Sequence, residues 1–148
     1  MPQHYVVSSA LVKRYVLEQG TDRVLELMDA GRRLIVSRLA LVEITSASVR
    51  RARAGDLSKD AMNSILATLE AEFRARFDVI ELRGAVMTRA TDLIRSHALR
   101  AADAIQLACA VVARGGSEAP ILFVSSDREL NEAAKSENFE VIDPTEHA

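Results

Sequence analysis

Two acids sit where acids are expensive, and a third opens a helix. Asp103 lies in "LRAADAIQLACAVVARGG", where every position from Ala101 to Ala113 except Asp103 and Gln106 is Ala, Ile, Leu, Val or Cys. A helix there is apolar nearly all round and should be buried, so its carboxylate needs a base, a set of donors or a metal ion. Glu43 poses the same problem. It is the only acid between Asp29 and Asp56 and is flanked by Leu39, Leu41, Val42 and Ile44. Asp127, in "SSDREL", opens the helical run that follows a β-rich segment. Carboxylates that converge make a hard, oxygen-only site of the kind magnesium or manganese prefers, completed by water and a substrate phosphate. The competing account pairs Asp103 with Arg100 and Glu43 with another arginine, and leaves Asp127 as a first-turn acid complementing the helix dipole.

Whether they converge depends on the elements that carry them. Short β-rich runs occur at His4 to Val7, Arg33 to Ser37, Asp78 to Leu82, Ile121 to Ser125 and Phe139 to Asp143. Helical sequence fills the intervals: Ala10 to Glu18, Thr21 to Ala30, Leu39 to Ala54, Ser58 to Phe77, Ala85 to His97, Arg100 to Arg114 and Asp127 to Glu137. Such alternation predicts a parallel sheet covered by helices. Ser58 reads as an N-cap, and Ser126 with Glu129 three residues on reads as a capping box. Ligands bind outside the carboxyl ends of parallel strands, where Glu43 follows strand two and Asp127 follows strand four. Asp103 starts the helix leading into strand four and reaches the same edge. The three carboxylates are therefore expected within several ångströms of one another.

Composition narrows the function further. The chain has 148 residues, one domain's worth, with 49% hydrophobic and 27% charged residues. A net charge of -2 excludes a bulk basic surface, and the absence of Trp with only 4% aromatics leaves few platforms for stacking bases. Cys109, the single cysteine, excludes an intramolecular disulfide and reads as an inert core thiol. No run approaches the roughly 18 apolar residues of a membrane span, and "MPQHYVVSS" does not read as a signal peptide, so the expected location is cytoplasmic. His4, His97 and His147 lack metal-ligand spacing. Tyr5, Tyr15 and the four methionines read as packing residues.

Four segments in order, "YVVSSALVKRYVLEQG", "SRLALVEITSA", "LRAADAIQLACA" and "FVSSDRELNEAAKSENFEVIDP", resemble the PIN-domain family, in particular the VapC-type toxins of bacterial toxin–antitoxin pairs. The resemblance implies a three-layer α/β/α fold with a five-stranded parallel sheet, and a metal-dependent ribonuclease using one or two magnesium (or manganese) ions. Carried over by position, Glu43 matches the family's second acid, Asp103 its third and Asp127 its fourth, while Ser9 and Ser126 match hydroxyls that support the metal site and its water. It also implies an RNA substrate, an antitoxin protein as partner and a homodimer. One position departs from the pattern: Val7 stands where the family carries its first acid, which removes one charge and one direct oxygen ligand. Two accounts follow, a ribonuclease with a weakened site, and a PIN-like module that binds RNA or a protein without cutting. An unrelated doubly wound domain holding a small anion lacks the Gly-rich loop it would need. Lys13 and Arg14 could hold the RNA backbone if they line the acidic cleft, whereas Arg50, Arg51 and Arg53 complement a helix C-terminus.

Overall fold

The computed structural model describes residues 2–146; His147 lies outside them. Five strands, β1 (Gln3–Val6), β2 (Ile35–Ser37), β3 (Asp78–Ile80), β4 (Ile121–Val124) and β5 (Glu140–Ile142), form one sheet in the order β3-β2-β1-β4-β5. Every neighbouring pair is parallel, so all carboxyl ends share one edge. Seven helices cover it: α1 (Ser8–Leu11), α2 (Thr21–Asp29), α3 (Arg38–Arg53), α4 (Lys59–Ala75), α5 (Gly84–Ser96), α6 (Ala101–Gly115) and α7 (Arg128–Ser136).

The period-two geometry of a strand sorts its side chains between two cores. Tyr5, Val7, Ile35, Ile121 and Phe123 face one way and pack on Val86 and Leu93 of α5, Leu107 and Cys109 of α6 and Leu130 of α7. Val6, Leu34, Val36 and Val124 face the other and meet Met28 of α2, Ala40 and Ile44 of α3, and Leu69 and Phe73 of α4. The result is the helix-covered parallel sheet expected from the alternation, in the three-layer α/β/α form that the family resemblance implies. Cys109 is buried, its thiol donating to Ser37 Oγ at 3.4 Å.

Local signals fared unevenly. Ser58 caps α4 as expected, its hydroxyl accepting from the Ala61 amide. Ser126 does not cap α7. Asp127 is the N-cap, accepting from the Leu130 amide at 3.0 Å, while the Ser126 hydroxyl donates to the Ser9 carbonyl. Tertiary contact with α1 thus takes the serine out of the capping box. The helix expected over Ala10 to Glu18 is also cut short: α1 ends at Leu11 and a single 3-10 turn, Val12–Arg14, follows. Here the chain bends to pass the segment after β5. Gly20, at φ +96°, lies so close to it that a Cβ would stand 3.0 Å from the Pro144 carbonyl oxygen. Glu18 then closes the bend by pairing with Lys13 at 2.8 Å and giving its amide to Thr21 Oγ1.

Leu107 is fully buried at the centre of the first core. Leu107→Ala should cost about 2–5 kcal/mol through lost transfer energy and the cavity left behind. Urea unfolding should show the lower midpoint with an unchanged slope.

Candidate active site

The acids reach one edge because of how their elements run. Helix α3 starts directly after β2, and Glu43 lies in its second turn. The side of Glu43 nearest the sheet is occupied: Ser8, just beyond β1, donates its hydroxyl to Glu43 Oε1 at 2.8 Å, and Gln106 Nε2 donates to the same oxygen at 2.8 Å. The arginine partner considered for Glu43 is absent from its hydrogen bonds and ion pairs among the described residues. Helix α6 ends near the start of β4, so its first turn, with Asp103, points back to the carboxyl edge.

Asp103 reports the company it keeps. Burial pushes its carboxyl above the usual range, the negative charges of Asp127 and Glu43 push it further, and Glu129 adds to them. Arg100 pulls the other way but does not cancel the shift. The three predicted acids therefore share one electrostatic neighbourhood. They do not close into a cage: among the described residues, no three His, Cys, Asp or Glu side chains gather tightly enough to enclose an ion. Two of the acids have settled on their own donors, Glu43 on Ser8 and Gln106, and Asp127 on the α7 backbone. A hard cation that keeps most of its waters still fits this donor set. Magnesium is commonly held by one or two carboxylates plus water and phosphate, and the crowding of like charge at Asp103 is what a cation relieves.

Serines stitch the rim together. Ser9 Oγ accepts from the Ser126 amide at 3.1 Å and lies 3.5 Å from Ser125 Oγ. Ser125 Oγ in turn accepts from the Asp127 amide, and Asn131 Nδ2 donates to the Ser125 carbonyl. The β1–α1 and β4–α7 connections are thereby fixed against each other. Ser9 and Ser126 hold backbone in place.

The remaining candidates fall elsewhere. Val7 is 3% exposed and packs in the first core, presenting no oxygen to the edge. Lys13, 6% exposed, is ion-paired with Glu18, and the Arg14 guanidinium lies 3.5 Å from Glu72 and over the Tyr15 ring. Neither presents a free cation to a substrate. Glu72, facing Arg14 and Arg76, is committed to the second core. Two other cations neighbour the acids along the chain: Arg100, which directly precedes α6 and whose charge acts on Asp103, and Arg128, which follows Asp127; both are exposed and form no ion pair among the described residues. Sequence reading also passed over Gln106, although a lone amide three residues after Asp103 in an apolar helix is a signal of the same kind as the acid itself.

Comparison with known proteins agrees with this architecture. The PIN domain family profile matches residues 5–136. Ribonuclease VapC45 and ribonuclease VapC49, from two strains of Mycobacterium tuberculosis, are each 36% identical to this chain over 111 residues, covering 75% of it and 76% of the relative. Among solved structures, FitAcB from Neisseria gonorrhoeae superposes with a TM-score of 0.70 at 14% identity, covering 96% of this chain and 98% of that one. DNA-bound VapBC from Salmonella typhimurium gives 0.63 at 14% identity over 97% and 99%. With its sheet order, its edge of acids and a profile match over most of its length, the chain belongs to the PIN-domain family.

Proposed function

We propose that this protein is a metal-dependent endoribonuclease, the toxin of a toxin–antitoxin pair, whose activity is held low by Val7. The single observation that carries this is the shared negative potential of Asp103, Asp127 and Glu43 at the sheet's carboxyl edge. The likeness to VapC ribonucleases supports the RNA substrate, and the likeness to VapBC supports an antitoxin partner. A homodimer follows from the family resemblance alone. A cytoplasmic location suits the buried, unpaired thiol of Cys109. No helix among the described residues is long and apolar enough to cross a membrane.

In this reading Glu43, Asp103 and Asp127 hold one or two magnesium or manganese ions, which supply Lewis acidity for activating a hydrolytic water. Asp127 is a rigid ligand because its second role, capping α7, fixes its rotamer. Ser8 orients Glu43. Arg100 and Arg128 flank the acids and give the phosphates of a bound strand a counter-charge, a task for which arginine's planar fork is well shaped. Burial and the neighbouring negative charges hold the Asp103 carboxyl above its ordinary range, so cation binding strengthens as pH rises through that elevated value.

The binding-module reading also has an observation in its favour. The valine at the first-acid position is buried among apolar side chains, so that position supplies no oxygen ligand to a cation.

The readings part at Val7. Val7→Asp should raise magnesium-dependent cleavage of single-stranded RNA by at least ~10-fold, and Val7→Asn should not, because the amide lacks the charge that holds the ion. The Asp variant should melt lower than wild type without metal, since it places a carboxylate at a core position, and recover on adding magnesium. A folded Val7→Asp protein that leaves RNA intact and gains no stability from magnesium would favour the binding module.

Metal contact is tested separately. Calorimetric titration with manganese should show weaker binding for both Asp103→Asn and Asp127→Asn. Asn caps helices about as well as Asp, so the loss at position 127 should come with little change in stability.

Asp103 also makes the fold pH-sensitive. A carboxyl whose pKa is higher folded than unfolded binds its proton more tightly in the native state, so its contribution is fully present below the ordinary carboxylate range and fades as pH rises through the elevated value. Asp103→Asn, which cannot ionise, should therefore gain melting temperature relative to wild type as pH rises toward neutrality. A constant difference across the range would count against the crowded site.

A further inference from the structure

Behind Glu43 lies a chain of polar groups that the acids alone do not explain. Gln106 is 1% exposed and Tyr5 is fully buried. The Tyr5 hydroxyl donates to Gln106 Oε1 at 2.8 Å, and Gln106 Nε2 donates both to Ser8 Oγ at 2.9 Å and to Glu43 Oε1 at 2.8 Å. Ser8 donates its own hydroxyl to the same Glu43 oxygen. Every donor and acceptor in this set is consistent with one arrangement only. Because the Glu43 carboxylate can only accept, the amide nitrogen must face Glu43 and Ser8, which turns the amide oxygen toward the Tyr5 hydroxyl as its donor. Glu43 Oε1 receives two donors, as an ionised carboxylate does, which leaves Oε2 outside the network.

The sequence supplies this from three places. Tyr5 comes from β1, Gln106 from one turn beyond Asp103 on α6, and Glu43 from α3. Residues three apart share a helix face, so the turn that brings Asp103 to the edge also brings Gln106 beneath Glu43. A buried polar network this complete specifies a single geometry, whereas an apolar side chain at 106 would leave Tyr5, Ser8 and Glu43 short of partners.

We infer that Gln106, with its amide locked by the Tyr5 hydroxyl, is a positioning residue that fixes Glu43 so that its free oxygen faces the cation and substrate at the sheet edge. This rests on the metal-dependent reading above. The pair compensates in geometry for what Val7 lacks in charge: the remaining acid beside β1 is held rigid by neutral donors.

The test uses the full-length protein and manganese as probe. Gln106→Met, close in volume but without the amide, should weaken manganese binding by at least ~10-fold, the worth of losing one hydrogen bond to a charged group. Tyr5→Phe should weaken it less, and should also let the Gln106 side-chain amide protons, slowly exchanging in wild type, exchange faster by NMR. Leu107→Ala, a neighbour on α6 that loses only packing, should lower the melting temperature and leave manganese affinity where it was. In a Glu43→Gln background, Gln106→Met should have no further effect. If Glu43→Gln weakens manganese binding while Gln106→Met leaves it unchanged, or if the two losses simply add, the positioning role is overturned and the metal reading stands. If Glu43→Gln itself changes nothing, the metal role of Glu43 fails and this inference falls with it.

Discussion

Like charges that must share a small, partly buried space are stable only if each is separately held, and this constraint organises the carboxyl edge of the sheet. Asp103 carries the cost, since burial and its neighbours both disfavour its ionised form. Asp127 and Glu43 are held by hydrogen bonds from groups that are themselves anchored: the first turn of α7 in one case, Ser8 and Gln106 in the other. The acids are thus near enough to feel one another and far enough apart to remain separate. A site in that condition is prepared for a cation without being collapsed around one.

The rest of the fold serves to hold those anchors. A parallel sheet with helices on both faces puts every strand's carboxyl end at one edge, and the two cores fix where each helix begins. The serine stitch between the β1 and β4 connections satisfies backbone groups that would otherwise be unpaired at the rim. It also explains why Ser126 gives up the capping role to Asp127. One exchange of partners secures the helix and orients the acid.

Charge around the edge is balanced locally. Arg38 and Glu81 pair on the surface beside β2 and β3, Lys13 and Arg51 share Glu18, and Arg14 and Arg76 share Glu72. Several basic residues are therefore committed. A protein of net charge -2 that handles a polyanion must keep a few cations uncommitted near its chemistry, and Arg100 and Arg128 are placed to be those.

The alternation of β-rich and helical runs was enough to determine the layer architecture, because burial on both faces forces strands to be continuously apolar and helices to be amphipathic. An acid among aliphatic residues also stands out in one dimension, which marked Glu43 and Asp103, whereas Asp127 was marked by its place after a β-rich run and by the family resemblance. Helix boundaries read to within a residue or two wherever a strand or a capped turn bounded them. What one dimension does not carry is the direction of a side chain after the chain has closed on itself. Lys13 was legible as a cation near the first motif, but its burial against Glu18 depends on how Gly20 passes the segment after β5. Ser126 and Glu129 had the spacing of a capping box, yet a contact with Ser9, more than a hundred residues away, decided the cap. The network joining Tyr5, Gln106, Ser8 and Glu43 draws on β1, α1, α3 and α6 at once, and only tertiary packing sets the distances over which hydrogen bonds form.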